Sequence, residues 1–575
     1  MVNRLNIADR LSDSAKRWPN QIAVVQPVGR NSEGVYRYRC WTFAELEREA
    51  NQIAFGLRAW GVEPSKRIVL MVRPSFEFIA LTFGLMRAGI VVVLIDPGMG
   101  RSNIFQCLEE IAPDGFIAIP IVQAIRVLNR RRFPNARFNV TVGRRWPWIG
   151  TSYDDLLLRG SRLIDSMSAT DRIEKSPTAG TDPAAIIFTS GSTGPPKGVV
   201  YEHGMFDAQV DLLRDFYGIQ SGEADLPGFP LFGLFNAAMG VTTVIPDMDP
   251  TKPARVDPMR VLAQMRDWKV TQAFGSPAIW NRIGRHCEAT GVKLPSTLRR
   301  VLSAGAPVPV HVIERMRRAF SNPEADIHTP YGATESLPVA SISGREVIEQ
   351  TAPLSRAGKG TCVGRIFAGI EVKIVEITDG PIKAVSDLKE LPRGEIGEIL
   401  VRGPSTTREY FRRPDATAAA KVVSDPGHQS TSFFHRMGDV GYLDDQDRLW
   451  FCGRKAHIVE TSFGRMFTIP CEAIFNNHPR VFRSALVGVG SKPNQHPVIV
   501  VEPDAGQFPK TRVDQERFRD ELLALARGNS LTSSIETVLF HPSLPVDIRH
   551  NVKIFREKLG PWAEGELLKA DAKSK

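Results

Sequence analysis

The sequence lacks the cysteine spacing of a zinc site or of a disulfide framework. Its six cysteines stand far apart, and no CxxC pair occurs. Closely spaced thiols are typical of structural zinc sites and of small secreted domains. We therefore expect reduced thiols and a cytoplasmic location.

A long uncharged apolar run is also missing. The most apolar stretch, residues 76–98, is interrupted by Arg87 and Gly89, which predicts a buried helix followed by a buried strand. The N-terminal region carries Asp9 and Asp13 where a secretion signal needs an apolar segment. The sequence therefore predicts no integral membrane segment.

The two common nucleotide-binding motifs are absent as well. In IIFTSGSTGPPKGVV (186–200), a P-loop would require glycine in place of Pro196 and serine or threonine in place of Gly198. The dinucleotide fingerprint G-x-G-x-x-G does not fit either. The segment still has the composition of a phosphate-binding loop, because its glycines let backbone amides approach an anion, its hydroxyls donate and Lys197 is positive.

The chain length and the net charge limit the number of domains and the kinds of partner that we expect. A chain of 575 residues is too long for one ordinary domain of roughly 150 residues. The formal net charge of +10 favours anionic partners such as nucleotides, acidic lipid or nucleic acid. The clearest basic cluster, residues 127–138, also carries apolar residues, and it is either a solvated face or a partner-binding patch.

Helices and strands alternate through the first two-thirds of the chain, which predicts an α/β fold. A helix at 42–62 has Thr42 and Glu45 at capping-box spacing. A strand at 67–72, a helix near 75–88 and a strand at 90–96 follow in βαβ order. This order predicts parallel sheets covered by helices on both faces.

The alternation of predicted helices and strands gives way to short strand-like segments after about residue 360. Short alternating segments with tight turns, one of them predicted at Asp444–Asp447, indicate a small β-rich subdomain. A compact α+β pattern begins near residue 458. We predict a domain boundary near Gly453–His457, between a large N-terminal domain at 1–453 and a small C-terminal domain at 458–575.

The segment at 188–200 closely resembles the glycine-rich signature of the adenylate-forming superfamily, which includes acyl-CoA synthetases, luciferases and nonribosomal-peptide adenylation domains. Further segments resemble other signatures of that superfamily, in the same order: SAGAP (303–307), YGATES (331–336), RMGDVGYLD (436–444) and KIFREKL (553–559). The resemblance implies that a carboxylate reacts with ATP, in the presence of Mg²⁺, to give an acyl-AMP and pyrophosphate.

The resemblance also implies roles for individual residues. Lys553 would reach the substrate carboxylate and the α-phosphate, Thr334 would bind phosphate, and Glu335 would bind Mg²⁺. Asp439 would accept hydrogen bonds from the ribose hydroxyls. The full set of implied nucleotide-binding residues is Thr189, Ser190, Gly191, Ser192, Thr193, Gly194, Lys197, Gly305, Ala306, Pro307, Tyr331, Gly332, Thr334, Asp439 and Arg454.

Several positions depart from the common pattern of the superfamily. The resemblance implies a hinge at 454–457 and a mobile C-terminal domain, and His457 stands in place of the usual hinge residue. His457 is a hinge residue, a domain-interface residue, a base or a residue with a plain structural role. The last signature is altered to DIRHNVKIFR (547–556). In these features the chain is similar to the β-lactone-forming branch found in bacterial long-chain olefin biosynthesis. The resemblance implies adenylation of a long-chain 2-alkyl-3-hydroxy acid, whose own 3-hydroxyl then displaces AMP. The alternatives are a long- or medium-chain fatty acyl-CoA ligase and a non-catalytic basic protein that binds nucleic acid or a membrane surface.

Two apolar segments, 228–240 and 273–280, are the candidates for an acyl pocket, although core packing is an equal alternative for each. The residues expected in the pocket are Phe229, Phe232, Gly233, Phe235, Gly240 and Phe274. Glycines there would leave room for alkyl chains. The expected partners are a long-chain hydroxy acid and other enzymes of the olefin pathway, with no nucleic acid.

Overall fold

A computed structural model describes residues 5–144, 150–167, 178–189, 195–229, 231–423, 433–546 and 554–574. Helices and strands alternate through the first half of the chain, as the βαβ pattern predicts. The helices are α1 (Asp9–Arg17), α2 (Phe43–Ala59), α3 (Phe76–Arg87), α4 (Arg101–Ile111), α5 (Pro120–Leu128), α6 (Tyr153–Ser166), α7 (His203–Tyr217), α8 (Phe232–Met239), α9 (Pro258–Asp267), α10 (Pro277–Thr290), α11 (Val310–Ala319), α12 (Gly344–Glu346), α13 (Ala352–Leu354), α14 (Pro414–Ala420), α15 (Thr468–Phe475), α16 (Arg512–Arg527) and α17 (Arg556–Ser574).

The strands fall into two large and two small sheets. They are β1 (Ile22–Arg30), β2 (Tyr36–Thr42), β3 (Arg67–Met71), β4 (Val91–Ile95), β5 (Gly115–Ala118), β6 (Phe138–Thr141), β7 (Thr151–Ser152), β8 (Pro183–Thr189), β9 (Lys197–Glu202), β10 (Ala224–Pro227), β11 (Thr242–Val244), β12 (Gln272–Gly275), β13 (Arg300–Ser303), β14 (Asp326–Ala333), β15 (Ser336–Ser343), β16 (Thr361–Ile366), β17 (Glu371–Val375), β18 (Gly397–Arg402), β19 (Lys421–Val423), β20 (Phe433–Leu443), β21 (Arg448–Arg454), β22 (Val459–Thr461), β23 (Gly464–Met466), β24 (Val481–Val489), β25 (His496–Pro503) and β26 (Thr537–Phe540).

The start of α2 confirms the predicted capping box. The Glu45 amide donates to the Thr42 hydroxyl at 3.2 Å, and the Thr42 amide donates to the Glu45 carboxylate at 2.8 Å. Each side chain thus satisfies an amide that the first helical turn leaves without a partner. The helix ends earlier than the predicted residue 62, because Gly61 has a positive φ of 80°.

A seven-stranded sheet has the strand order β7-β6-β5-β3-β4-β8-β9 and is parallel except for the β8–β9 pair. Every residue of β4 is buried, as expected for a central strand covered on both faces. Helix α3 packs against one face of this sheet and α4 against the other, within two separate apolar clusters.

A second sheet of 14 strands runs from β17 at one edge to β2 at the other. Its β10-to-β14 part pairs in parallel, whereas the part built from β15 to β21 is antiparallel. This change matches the predicted β-rich subdomain, and Asp444–Asp447 forms the predicted turn between β20 and β21.

A small C-terminal domain has its own core. Ile458 packs with the large domain, whereas Val459 packs in a separate cluster with Phe475, Phe518 and other residues of the C-terminal region. The structure is therefore a mixed α/β molecule with a large N-terminal sheet domain and a small C-terminal domain. Within the described residues, no helix is both long and apolar enough to cross a membrane.

Candidate active site

A cavity of about 2050 Å³ opens at the carboxyl ends of the parallel strands. Its wall includes residues 72–74 after β3, residues 96–98 after β4 and Gly228 after β10. This edge is where open parallel sheets bind ligands, because the loops that follow the strands meet there. The cavity also reaches the β14–β15 turn and residues 454–456 at the end of β21.

Asp439 lies at the centre of a buried polar group beside this cavity. The Tyr331 hydroxyl donates to its Oδ2 at 2.6 Å, and Arg454 Nη1 lies 2.8 Å from its Oδ1. Apart from this ion pair, Oδ1 is buried and has no hydrogen-bond partner among the described residues. Burial raises the pKa of Asp439, and Arg454 opposes that shift. A carboxylate oxygen that is paired only with Arg454 can still accept a hydrogen bond from a ligand hydroxyl.

Glu335 is held in the β14–β15 turn by neighbours on a different segment. The Tyr410 hydroxyl donates to Glu335 Oε1 at 2.7 Å, while the Thr407 amide and hydroxyl donate to the Glu335 backbone carbonyl at 2.9 and 3.0 Å. The Tyr201 hydroxyl donates to the carbonyl of Thr334 at 2.5 Å. The carboxylate of Glu335 is thus oriented, and both Thr334 and Glu335 line the cavity.

Two buried basic side chains lie behind Glu335. Lys421 and His435 face each other across the β19–β20 pair, and the Lys421 ammonium donates to the Thr407 carbonyl. Burial lowers the pKa of Lys421 to about 7, while Glu335 favours its charged form. Burial also holds the pKa of His435 well below its usual value, and its Nδ1 has no partner among the described residues.

Three other predicted nucleotide-binding positions, Lys197, Gly305 and Gly332, also line the cavity. Lys197 Nζ lies 4.9 Å from the centre of the Tyr410 ring, which brings it towards Glu335. Gly305 has a positive φ of 90° at the end of β13. Ala306 and Pro307 follow it at the rim, outside the cavity lining.

Part of the predicted site lies outside the described residues. These positions are Ser190, Gly191, Ser192, Thr193, Gly194 and Lys553. Thr189 ends β8, directly before the first of them. His457 lies in the short turn Lys455–His457 that joins β21 to the C-terminal domain, so its position is compatible with the predicted hinge.

Four predicted acyl-pocket residues share the cavity wall. Phe232 stacks on Phe274 with ring centres 3.7 Å apart, and Phe229 and Phe235 lie 5.9 and 6.2 Å from Phe232. Phe232 and Phe235 are three positions apart on α8 and therefore face the same side. The aromatic rings make this part of the cavity apolar.

Gly233 and Gly240 do not lie in the cavity wall, so the expectation that they leave room for alkyl chains is corrected. Gly233 lies on a different side of α8, where an added Cβ would lie 3.3 Å from Pro227 and Thr243. An added Cβ at Gly240 would lie 2.5 Å from the Trp18 ring. Both glycines instead allow close packing of α8 and its C-terminus against neighbouring elements.

The cavity extends over the sheet edge onto both faces of the seven-stranded sheet. Leu70 and Leu94 belong to the face that packs against α3, whereas Met71 and Ile95 belong to the face that packs against α4. All four line the cavity. We call the part beside α3 and α8 the inner arm. The part lined by Ile104, Phe105, Leu108, Ile119, Val122 and Ile125 is the outer arm.

The chain is similar to known proteins over most of its length. Residues 11–411 match the protein family described as AMP-binding enzyme. The chain belongs to the AMP-binding enzyme family. It is 46% identical to the olefin beta-lactone synthetase of Stenotrophomonas maltophilia over 98% of this chain and 99% of that protein. The resemblance to adenylate-forming enzymes is therefore confirmed.

Solved structures of this kind share the fold of this AMP-binding enzyme. The amide bond synthetase McbA from Marinactinospora thermotolerans is 22% identical, with a TM-score of 0.74 over 97% of this chain and 99% of that one. ATP-bound MatB from Rhodopseudomonas palustris is 20% identical, with a TM-score of 0.73 over 98% and 99% of the two chains. At these identities the likeness concerns the fold.

Sequence reasoning missed several residues of this AMP-binding enzyme that support Glu335. Tyr410 lies 75 positions away in the chain, and Tyr201 is 133 positions from Thr334, so no local spacing connects them. One feature of the sequence could have indicated that Lys421 is special. It begins a short apolar strand, KVV, in which a charged residue is unusual. The outer arm was missed too, since only the fold brings α4 and α5 to the same cavity as α8.

Proposed function

We propose that the chain is an ATP-dependent β-lactone synthetase that acts on a long-chain 2-alkyl-3-hydroxy acid. The observation that carries this proposal is the 46% identity to an olefin beta-lactone synthetase across nearly the whole of both chains. The first step adenylates the acid. A carboxylate oxygen attacks the α-phosphorus of ATP, the bond to the β-phosphate breaks, and pyrophosphate leaves.

The second step closes the ring within the same substrate. The 3-hydroxyl oxygen attacks the acyl carbon, its proton is lost to a base or water, and the bond to AMP breaks. Because the nucleophile is tethered, its effective molarity reaches roughly 10⁵–10⁸ M in good geometry, which helps to offset the strain of a four-membered ring. Coenzyme A takes no part in this sequence.

The residues around the cavity suit the first step. Asp439 would accept hydrogen bonds from the ribose hydroxyls, with Arg454 beside it, and residues 305–307 would lie against the adenine. Lys197 would contact phosphate, and Lys553 would offset charge as the carboxylate and the α-phosphate meet.

The donor set also suits a metal that arrives with phosphate. The described residues contain no cluster of three or more His, Cys, Asp or Glu side chains that could hold a metal ion. Glu335 supplies one oriented carboxylate, and Mg²⁺ usually takes one or two carboxylates with phosphate oxygens and water. When bound, Mg²⁺ would neutralise charge on the departing pyrophosphate.

The two arms of the cavity suit a substrate with two alkyl chains. A 2-alkyl-3-hydroxy acid branches at carbon 2, so two apolar chains diverge from the reacting carboxyl group. We assign one chain to the inner arm, beside Phe232 and Phe235, and the other to the outer arm, beside Phe105 and Ile125. A cytoplasmic location and partnership with other olefin-pathway enzymes belong to the same proposal.

The test is product analysis without coenzyme A. The enzyme is incubated with ATP, Mg²⁺ and a long-chain 2-alkyl-3-hydroxy acid, and the products are identified by nuclear magnetic resonance. We expect a β-lactone with AMP and pyrophosphate. The matched control is the same acid without the 3-hydroxyl, which should form an acyl-AMP but no lactone.

Two outcomes would reject the proposal in different ways. AMP release from the hydroxy acid without a lactone would exclude ring closure while retaining adenylation. A thioester formed only when coenzyme A is added would favour a fatty acyl-CoA ligase.

A further inference from the structure

Helix α5 exposes the side that a surface helix usually buries. Ile121, Ile125 and Leu128 are spaced four and three residues apart and lie on one side, and they are 56%, 40% and 84% exposed. In this helix, whose nine residues are all described, the one buried side chain is Gln123. A surface helix normally turns its apolar stripe towards the core. This reversal marks a contact surface.

Gln123 explains why the helix is held in this orientation. Its side-chain amide donates to the carbonyls of Phe116 at 3.0 Å and Val140 at 2.8 Å, and its oxygen accepts from Arg126 Nε at 2.7 Å. The buried amide is therefore satisfied by backbone carbonyls within β5 and β6. Rotation of α5 to bury its isoleucines would break these hydrogen bonds.

The stretch of chain that contains the apolar stripe is strongly basic. No Asp or Glu occurs between Asp114 and Asp154, whereas the same stretch carries seven arginines. Arg130 and Arg131, directly after the helix, are exposed and form no ion pair with any described carboxylate. Arg132 is exposed as well, and it pairs with Glu109 at 2.8 Å. An apolar stripe beside unpaired arginines is the pattern of a helix that lies in a membrane interface.

The exposed stripe is continuous with the outer arm of the cavity. Ile125 is both part of the stripe and part of the cavity wall, and Val122 lies on the wall beside it. Phe105 and Leu108 of α4 form the facing wall of the same arm. The outer arm therefore reaches the exposed stripe of α5 through apolar side chains, with Arg126 also in its wall.

We propose that α5 and Arg130–Arg132 form a docking surface for an anionic phospholipid bilayer, with Ile121 and Leu128 inserted among the lipids. Anionic headgroups fit this surface because the unpaired arginines attract them, and the acyl region fits the isoleucine and leucine side chains. Docking would place the outer arm at the membrane surface, where long-chain substrates concentrate. The docking itself does not depend on which reaction the enzyme catalyses.

The test is vesicle flotation of the full chain without ATP or substrate. Vesicles of phosphatidylcholine are compared with vesicles that also contain phosphatidylglycerol, at low and high ionic strength. We expect recovery with the anionic vesicles at low ionic strength and a clear loss at high ionic strength. Failure of the protein to float with anionic vesicles would overturn the proposal.

Paired variants identify the surface. Arg130→Gln with Arg131→Gln should weaken partition by about 25-fold, since each arginine near an anionic surface contributes about fivefold. The control is Arg512→Gln with Arg517→Gln, which makes the same change in net charge at arginines that pair with acids on α16. Equal losses in both double variants would show that overall charge binds the vesicles and would overturn the assignment.

The apolar contribution is tested at constant charge. Ile121→Ser with Leu128→Ser should reduce partition by at least tenfold, while Val513→Ser, at a residue that is 75% exposed on α16, should have no effect. These side chains are exposed and lie outside the cavity wall, so the melting temperature and ATP–pyrophosphate exchange in detergent solution should remain unchanged. Full vesicle binding by the α5 double variant would contradict the proposal.

Discussion

The hydroxyl of Tyr410 provides the sharpest test of how Glu335 works. Tyr410 is 6% exposed and donates to Glu335 Oε1 at 2.7 Å. Burial and the nearby carboxylate raise the pKa of Tyr410, so the phenol keeps its proton and remains a donor at neutral pH. Tyr410→Phe removes this hydrogen bond but keeps the ring beside Lys197.

The expected magnitude follows from the type of contact. A hydrogen bond to a charged group contributes about 1.5–3 kcal/mol, and loss of a partner that orients a metal ligand typically lowers metal affinity by about 10- to 100-fold. If Glu335 binds Mg²⁺, Tyr410→Phe should raise the Mg²⁺ concentration for half-maximal activity by that factor. Activity should largely recover at saturating Mg²⁺, because the carboxylate itself is still present.

The assay is carboxylate-dependent ATP–pyrophosphate exchange across a Mg²⁺ titration. Tyr153→Phe is the matched control, because the Tyr153 hydroxyl donates to Glu49 Oε1 at 2.6 Å and both residues lie outside the cavity wall. It should lower the free energy of unfolding to a similar extent without changing the Mg²⁺ dependence. An unchanged Mg²⁺ dependence in Tyr410→Phe, or equal shifts in both variants, would refute the reasoning.

Three further predictions concern charged residues. Lys553→Ala should abolish adenylation, while the circular dichroism spectrum and the melting temperature stay unchanged. Near-normal ATP–pyrophosphate exchange in this variant would show that the last signature is wrongly assigned. Asp439→Ala should raise the KM for ATP by roughly 10- to 100-fold, because charge-assisted hydrogen bonds to ribose are lost; a wild-type KM in exchange assays would exclude that role. Burial lowers the pKa of Lys421 from 10.5 to about 7. Between these pH values the unfolded chain binds a proton that the folded chain has released. The free energy of unfolding therefore rises with pH over this range. Lys421→Met should flatten this rise in denaturation curves recorded across that range, whereas an identical slope in both proteins would contradict the prediction.

Patterns within a few residues of sequence predicted local structure correctly. The Thr42 capping box, the buried β4 strand and the Asp444–Asp447 turn each depend on residues within a few positions of one another, and all three are present. The signatures around Glu335 and Asp439 were also readable from the chain. The structure places both residues beside one cavity, although they are more than a hundred positions apart.

Other features of the site depend on which side of a helix or strand each residue occupies. Gly233 and Phe232 are neighbours in sequence, yet one packs against β10 and β11 and the other lines the cavity, since successive helical residues point about 100° apart. Tyr410 supports Glu335 only because the loop before α14 folds against the β14–β15 turn. The division at 454–457 and the hinge role of His457 remain predictions.

The sequence by itself determined the chemical class of this protein, because phosphate binding and carboxylate activation need particular residues in short segments whose order survives in the chain. Tertiary structure alone decided the shape of the acyl cavity, the support of Glu335 by Tyr410 and the exposure of Ile121 and Leu128 on α5. Those properties arise from packing between segments that are distant in the sequence. The rotation of a helix about its axis, or the face of the sheet on which a strand residue lies, determines which side chains are in contact. A one-dimensional pattern does not contain that information.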